Sequence, residues 1–250
     1  MTTRGRAKPT DDEAESLRKL TWAVIREDFE GTQKDAAAGA VEDARPDRWG
    51  ERVIRLLDRP ARQSLMEHLF LAGDERFGAL GVSLPGDVYR PRCHGPLPEL
   101  EDVSALHKLI QQVEAGEPVR DEFRRLIAPS VTMGGARPKA LIQIEGHPWV
   151  IKFAERGEVL DEPLIEHASL TLAARAGIRV AASRPIALKK GHALAVKRFD
   201  RMPGPGGLLR LHALSAHVAL RAAGEEMGYP ELAQLLRRRG PVGSGISLAQ

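Results

Sequence analysis

The sequence predicts an α+β protein in which helices gather around a small antiparallel sheet. Short runs rich in apolar and β-branched residues occur as two adjacent pairs, at residues 139–144 with 147–153 and 184–188 with 193–199. A short turn that contains glycine joins the members of each pair, which is typical of β-hairpins. Segments with apolar residues at helical spacing precede, separate and follow the hairpins. We therefore expect four antiparallel strands with helices before, between and after them.

The composition resembles that of an average globular protein, with 42% hydrophobic and 28% charged residues. No apolar run approaches the roughly 20 residues of a membrane-spanning helix, and the first residues lack the apolar stretch of a signal peptide. We therefore expect a cytoplasmic protein with no membrane partner. Cys93 is the only cysteine, which excludes an internal disulfide bond. A net charge of +3 suits a phosphate binder as readily as a nucleic-acid binder, and we expect no direct nucleic-acid binding.

The part before the first hairpin is predicted to be mostly helical. Thr10 and Glu13 fit a capping box, in which each side chain accepts a hydrogen bond from the backbone N–H of the other residue. A helix is therefore expected from Thr10 toward Phe29. Apolar spacing, together with glycine and proline at the ends, predicts the elements that follow. The expected helices are 48–57, 61–71, 101–113 and 119–127, and a short buried strand is expected at 78–82.

Three more helices are predicted around and after the hairpins. The helix at 161–176 separates the two hairpins and is ended by Gly177. Helices at 214–223 and 230–239 follow, and Pro241 forbids continuation because proline lacks the N–H that a helix needs.

A glycine pair, Gly134 and Gly135, immediately precedes the first predicted strand. Glycine allows backbone N–H groups to approach phosphate oxygens, since no side chain holds the phosphate away. The surrounding residues match neither of the common glycine-rich nucleotide-binding patterns, so an ordinary turn between helix and strand is the alternative interpretation.

Lys152 lies in a predicted strand among apolar neighbours, so its ammonium group must reach solvent, a carboxylate or a bound anion. Glu166, on the next predicted helix, is available for the lysine–glutamate ion pair that kinases use. Glu162 competes for this role, and a lysine at a strand edge with a solvated glutamate is the simpler alternative.

Three segments in this order resemble the HipA-like serine/threonine kinases, the toxins of bacterial toxin–antitoxin pairs. They are residues 132–140, 149–153 and 198–201, with the sequences TMGGARPKA, WVIKF and RFDR. Residues 44–50 and 74–80 resemble segments of the N-terminal subdomain of the same family, so the resemblance covers about 44–223. It implies a kinase-like small lobe with ATP and Mg²⁺ as cofactors.

The resemblance also implies a set of nucleotide-binding residues. Lys197 and Phe199 are expected to contact adenine through their backbone, and Asp200 to hold the ribose, although a turn at Asp200 and Arg201 is the simpler alternative. Thr132 falls where the family often has a serine whose autophosphorylation silences the enzyme, and Ser130 lies close enough to confuse that assignment. The full expected set is Thr132, Gly134, Gly135, Lys139, Lys152, Glu166, Lys197, Phe199 and Asp200.

The sequence departs from the family after Asp200, since no aspartate or asparagine follows it. A kinase needs an aspartate base and metal-binding Asp and Asn residues in its second lobe. We therefore expect a truncated kinase that holds ATP but does not transfer phosphate alone, unless the missing lobe is supplied to act on a protein substrate. A DNA-binding antitoxin is the partner that the resemblance implies. The alternative is a non-catalytic module that binds an antitoxin or another protein.

Four regions follow from this interpretation. Residues 1–43 are expected to form an N-terminal helix and linker, and 44–128 a HipA-like N-terminal subdomain. The ATP-binding lobe is expected at 129–201, and the start of a truncated helical lobe at 202–250.

Overall fold

The computed structural model describes residues 39–60, 63–83, 89–127, 137–204 and 207–239. Its packing divides the chain into two compact units, one of residues Ala44–Arg201 and one of Met1–Asp43 with Met202–Gln250. The α+β class is confirmed. The helix expected at 10–29 lies outside the described residues, as do Ser130, Thr132, Gly134 and Gly135.

Helices and a four-stranded sheet make up most of the described structure. The helices are α1 (Gly39–Asp43), α2 (Arg48–Leu57), α3 (Leu65–Leu71), α4 (Val103–Ala115), α5 (Arg124–Ile127), α6 (Glu162–Arg175), α7 (Ala216–Ala222) and α8 (Tyr229–Arg239). The strands are β1 (Lys139–Ile144), β2 (His147–Lys152), β3 (Ser183–Ala187), β4 (His192–Lys197), β5 (Arg201–Gly204) and β6 (Gly207–Arg210). Short 3-10 helices at Leu100–Asp102 and Asp121–Phe123 lead into α4 and α5.

Both expected hairpins are confirmed, and together they form an antiparallel sheet with the strand order β1-β2-β4-β3. Glu145 and Gly146 join β1 to β2 with φ angles of 52° and 76°, the left-handed values of the tightest hairpin turns. The pairing places Lys139 directly opposite Lys152 and Trp149 opposite Lys197. The sheet therefore brings residues from distant parts of the sequence into fixed register.

One face of this sheet packs against helices of the N-terminal part. Alternate strand residues such as Ala140, Ile142 and Ile151 join one buried cluster with Val53 of α2 and Leu106 of α4. α2 begins where expected because Asp47 accepts a hydrogen bond from the backbone N–H of Gly50 at 2.7 Å. Burial of this apolar face holds the sheet against α2 and α4.

The strand expected at 78–82 is wrong, since this segment forms a loop. Gly78 has a φ of 74°, which no extended strand residue adopts. Its backbone N–H donates to the Asp200 carboxylate at 2.8 Å rather than to a neighbouring strand. Gly78 therefore anchors this loop to a buried polar cluster, and the segment has no strand partner within the described residues.

The second unit contains α1, α7 and α8 among its described residues. Ser215 caps α7 by accepting from the backbone N–H of Val218 at 3.2 Å, and its own N–H donates to Asp43 at 2.5 Å. Gly39 lies so close to Val218 that a Cβ there would come within 2.9 Å of it. These contacts fix α1 against α7.

β5 and β6 pair with each other in a two-stranded sheet that the sequence analysis did not predict. The proline and glycine residues at 203–207 indicate a turn, and this signal obscured the short strands on either side. Within the described ranges, no helix has the length and hydropathy needed to cross a bilayer.

Candidate nucleotide-binding site

The structure brings together Lys152 and Glu166. Lys152 is the last residue of β2, and its ammonium nitrogen lies 2.5 Å from a carboxylate oxygen of Glu166 on α6. The two side chains are 34% and 40% exposed. Because both are half-exposed, the pair is accessible to a ligand, and its charges are not sealed in the core.

Signals close in sequence place Glu166 on α6. Asp161 accepts from the backbone N–H of Leu164 at 3.3 Å and so caps the helix, and Pro163 lies in the first turn, where its missing N–H costs nothing. Gly177, with a φ of 84°, follows the helix end. Glu166 thus occupies the second turn of a helix whose start is fixed.

Glu162, the competing partner, is directed elsewhere. Its carboxylate lies 3.9 Å from the guanidinium of Arg137, which also contacts Glu158 at 2.9 Å. Arg137 follows the glycine pair in the sequence, and the next residue, Pro138, accepts a hydrogen bond from the Phe153 N–H at 3.0 Å. Arg137 and Pro138 therefore tie the end of the glycine-containing segment to α6 and to the end of β2. The sequence analysis missed the role of Arg137.

Lys139 is buried and paired, although it lies opposite Lys152 in the sheet. Its ammonium group is 2.6 Å from the Asp47 carboxylate, and its backbone carbonyl accepts from the Trp49 indole at 2.8 Å. Burial lowers the pKa of the Lys139 ammonium, and the same effect raises the pKa of Asp47. The Lys139 side chain is only 4% exposed, so we assign it to the joint between β1 and α2 and not to the ligand site.

We expect Asp47→Ala to lower the free energy of unfolding by about 2–4 kcal/mol, because it removes a helix cap and the carboxylate that faces the buried Lys139 ammonium. Chemical denaturation of the full chain measures this change. The double variant Asp47→Ser with Lys139→Met keeps a capping hydroxyl and removes both charges. It should lie within about 1 kcal/mol of the wild type, since a buried ion pair adds little over apolar packing. Equal losses in the two variants would contradict the assignment.

Asp200 belongs to a buried ionic cluster and not to an open ligand site. The residue is 0% exposed. Its carboxylate accepts from Arg198 at 2.9 and 2.7 Å, from Arg201 at 2.8 Å and from the backbone N–H of Gly78 at 2.8 Å. No carboxylate oxygen is presented to a ribose in this arrangement. The expected ribose contact of Asp200 remains a prediction, and we do not carry Asp200 into the proposed site.

The two arginines of this cluster also bind backbone carbonyls of the loop around residue 76. Arg198 donates to the carbonyl of Glu75 at 2.9 Å, and Arg201 donates to that of Arg76 at 2.8 Å. The RFDR sequence thus fastens the end of β4 to residues 75–78. Both arginines also contact the Asp200 carboxylate, so each buried charge of the segment has a partner.

Lys197 and Phe199 lie at the end of β4 and beyond it. The Lys197 N–H donates to the Ala182 carbonyl at 2.8 Å, so this donor is already used within the protein. The Phe199 ring is 63% exposed and meets Phe77 edge-on, with ring centres 5.6 Å apart. Their expected adenine contacts remain predictions.

The Mg²⁺ implied by the family resemblance does not fit the described residues. No group of three His, Cys, Asp or Glu side chains is arranged to hold a metal ion anywhere within those ranges. The Lys152–Glu166 pair, in contrast, fits the phosphate groups of ATP, since an accessible ammonium held by one carboxylate can bind an anion.

Comparison with known proteins supports the resemblance. Residues 131–246 match the family model of the HipA-like C-terminal domain. A solved structure of HipA from Shewanella oneidensis MR-1, in complex with HipB and its operator DNA, is similar with a TM-score of 0.48 and 19% identity. The match covers 84% of this chain and 54% of that one, so the chain spans about half the length of this HipA. No curated protein sequence matches the chain.

Proposed function

We propose that this protein binds ATP, with the Lys152–Glu166 pair at the phosphate groups. The observation that carries the proposal is the 2.5 Å contact between a strand lysine and a glutamate on the following helix. Protein kinases use such a pair to hold the nucleotide phosphates. In this role Lys152 offsets phosphate charge and Glu166 keeps the ammonium in place.

The glycine pair supports the same proposal from the sequence side. Gly134 and Gly135 precede β1, whose first residue lies opposite Lys152. Backbone N–H groups at these positions would add hydrogen bonds to phosphate oxygens. Thr132 would lie beside them.

We propose further that this sequence holds the nucleotide without transferring phosphate by itself. Transfer to a protein substrate needs a carboxylate base and metal ligands, and the last aspartate of the sequence is the buried Asp200. Phosphate transfer would then require an aspartate base and metal-binding Asp and Asn residues that residues 201–250 do not contain.

A non-catalytic binding module is the second candidate, and exposed apolar residues favour it. Ile165 and Leu172 on α6 are 45% and 69% exposed, and Ile178 after the helix is 51% exposed. Ile165 and Leu172 are seven residues apart, which places them on the same side of the helix, and apolar residues grouped on a surface often mark a contact with another protein. A DNA-binding antitoxin is the partner that we propose for this surface.

A nucleotide titration of the full chain tests the first proposal. We expect millimolar ATP to raise the melting temperature by a few degrees, because a ligand at 10 times its Kd stabilises the native state by about 1.4 kcal/mol. Tripolyphosphate should protect less than ATP, since it offers phosphates without a nucleoside. An unchanged melting temperature at about 5–10 mM ATP would reject ATP binding and favour the binding module.

A further inference from the structure

We propose that His192 is a positioning residue that sets the Lys152–Glu166 distance by anchoring the N-terminus of α6. Its effect on nucleotide affinity rests on the proposed function, whereas the role of His192 in holding α6 does not. His192 begins β4, and its Nδ1 lies 2.6 Å from the carboxylate of Asp161, the residue that caps α6. This His192–Asp161 contact, which we call the clamp, joins the sheet to the helix that carries Glu166.

Apolar packing does little to hold α6 in place. Pro163 is the only buried residue of this 14-residue helix. The main hydrophobic cluster takes residues from α2, α4 and the sheet, but none from α6. A helix without a buried apolar stripe depends on other contacts for its position.

Three polar contacts supply the attachment that apolar packing lacks. Asp161 binds His192 at the start of the helix, and Glu166 binds Lys152 one turn later. His167, the next residue, shares a hydrogen bond of 2.9 Å with Ser183 on β3. Because the last two contacts are adjacent, His192 makes the close contact between the sheet and the start of the helix, whereas Arg137 approaches Glu162 only to 3.9 Å.

The geometry of the clamp assigns its proton. An ionised carboxylate only accepts hydrogen bonds, so Nδ1 of His192 carries the hydrogen and donates it to Asp161. One carboxylate oxygen takes this bond, while the other accepts from the Leu164 N–H at 3.3 Å. Asp161 can therefore cap the helix and bind His192 at the same time, and losing His192 need not remove the cap.

The surroundings of the clamp leave room for movement. Gly191, with a φ of 70°, lets the β3–β4 turn approach Asp161, and a Cβ there would lie 3.5 Å from its carboxylate. A cavity of about 300 Å³ borders Asp161 and His192. Without the histidine, the first turn of α6 can shift into this space and carry Glu166 away from Lys152.

Hydrogen exchange of the nucleotide-free full chain tests the positioning role directly. His192→Leu removes the donor, and we expect the amides of residues 166–170 to exchange roughly 5- to 10-fold faster, with β1 and β2 amides unchanged. His192→Asn places an amide donor near the position of Nδ1 and should restore slow exchange. Lys189→Ala, at an exposed residue of the same turn, should match the wild type.

Two results would overturn the proposal. One is unchanged exchange in His192→Leu, and the other is equally fast exchange in His192→Asn. If His192→Leu does not fold, Asp161→Ser replaces it, because serine keeps the cap but removes the carboxylate that His192 binds. This variant should show the same acceleration, and protection equal to that of the wild type would reject the clamp.

ATP titration of the same variants separates this proposal from the proposed function. We expect His192→Leu to raise the Kd for ATP about 3- to 10-fold and His192→Asn to restore it. Absence of binding in the wild type would reject the proposed function, while the exchange data would still decide the role of His192. Wild-type affinity in His192→Leu despite faster exchange would reject the link between the clamp and nucleotide binding.

Discussion

Asp200→Ala is expected to lower the free energy of unfolding by about 3–5 kcal/mol, because it leaves two buried guanidinium groups without their shared carboxylate. Arg198 and Arg201 both donate to this carboxylate, at 2.7 and 2.8 Å, and neither is more than 4% exposed. The variant also removes the acceptor of the Gly78 N–H. Urea denaturation of the full chain gives the change directly.

An exposed ion pair provides the matched control for this variant. The Asp121 side chain is 93% exposed and contacts Arg124 at 3.4 Å. Asp121→Ala should change stability by no more than about 0.5 kcal/mol, as solvent screens such pairs. A loss below about 1 kcal/mol in Asp200→Ala would contradict the structural role of the RFDR segment.

The same cluster predicts how stability changes in acid. Burial alone would raise the pKa of Asp200, but the bonds and charges of Arg198 and Arg201 outweigh it and hold the pKa below the usual 3.8. A carboxyl group with a lowered native pKa stabilises the fold above the unfolded value and loses this effect as pH falls through the native value. Wild-type stability should therefore fall more steeply below about pH 4 than that of Asp200→Ala. Equal slopes of unfolding free energy against pH in the two proteins would contradict the lowered pKa of Asp200.

Lys152→Met is expected to weaken ATP binding about 10- to 100-fold, because it removes a charge-assisted bond to phosphate while keeping the length of the side chain. Stability should change by less than about 1 kcal/mol, since the Lys152–Glu166 pair is half-exposed. Calorimetric titration measures the affinity, and thermal denaturation measures the stability.

A second lysine separates the site from a general charge effect. Lys189→Met removes one positive charge from an exposed turn of the same unit and should bind ATP as the wild type does. Equal losses in both variants would indicate nonspecific attraction of the nucleotide to a basic protein.

The hairpins and α6 could be predicted because their signals are local. Turn glycines, a helix cap and a short alternating pattern lie within a few residues of the elements that they define. The Lys152–Glu166 pair followed from the same local order, since β2 leads directly into α6. The competing Glu162 could be set aside only once the position of Arg137 was known.

The roles of Asp200 and Lys139 depend on contacts that the sequence does not reveal. Gly78 and Asp200 are 122 residues apart, and Asp47 and Lys139 are 92 residues apart. Such pairs form only when the fold brings distant segments together. Each residue was therefore expected to contact ATP, whereas its charge is used inside the protein.

The RFDR segment illustrates how a resemblance to a binding motif can describe a structural joint. Arg198 and Arg201 bind the backbone around residue 76, and Asp200 holds the two arginines in place. The apolar sequence at 78–82 was expected to be a strand, but it forms a loop whose Gly78 contributes to this joint. One buried cluster thus accounts both for the loop at Gly78 and for the burial of Asp200.

Calorimetric titration of ATP into the full wild-type chain and into Lys152→Met tests the central claim most directly. We expect one wild-type site with a Kd below about 1 mM and a loss of about 10- to 100-fold in the variant. Equal affinity in the two proteins, or no measurable heat with the wild type at millimolar ATP, would contradict a nucleotide site at the Lys152–Glu166 pair.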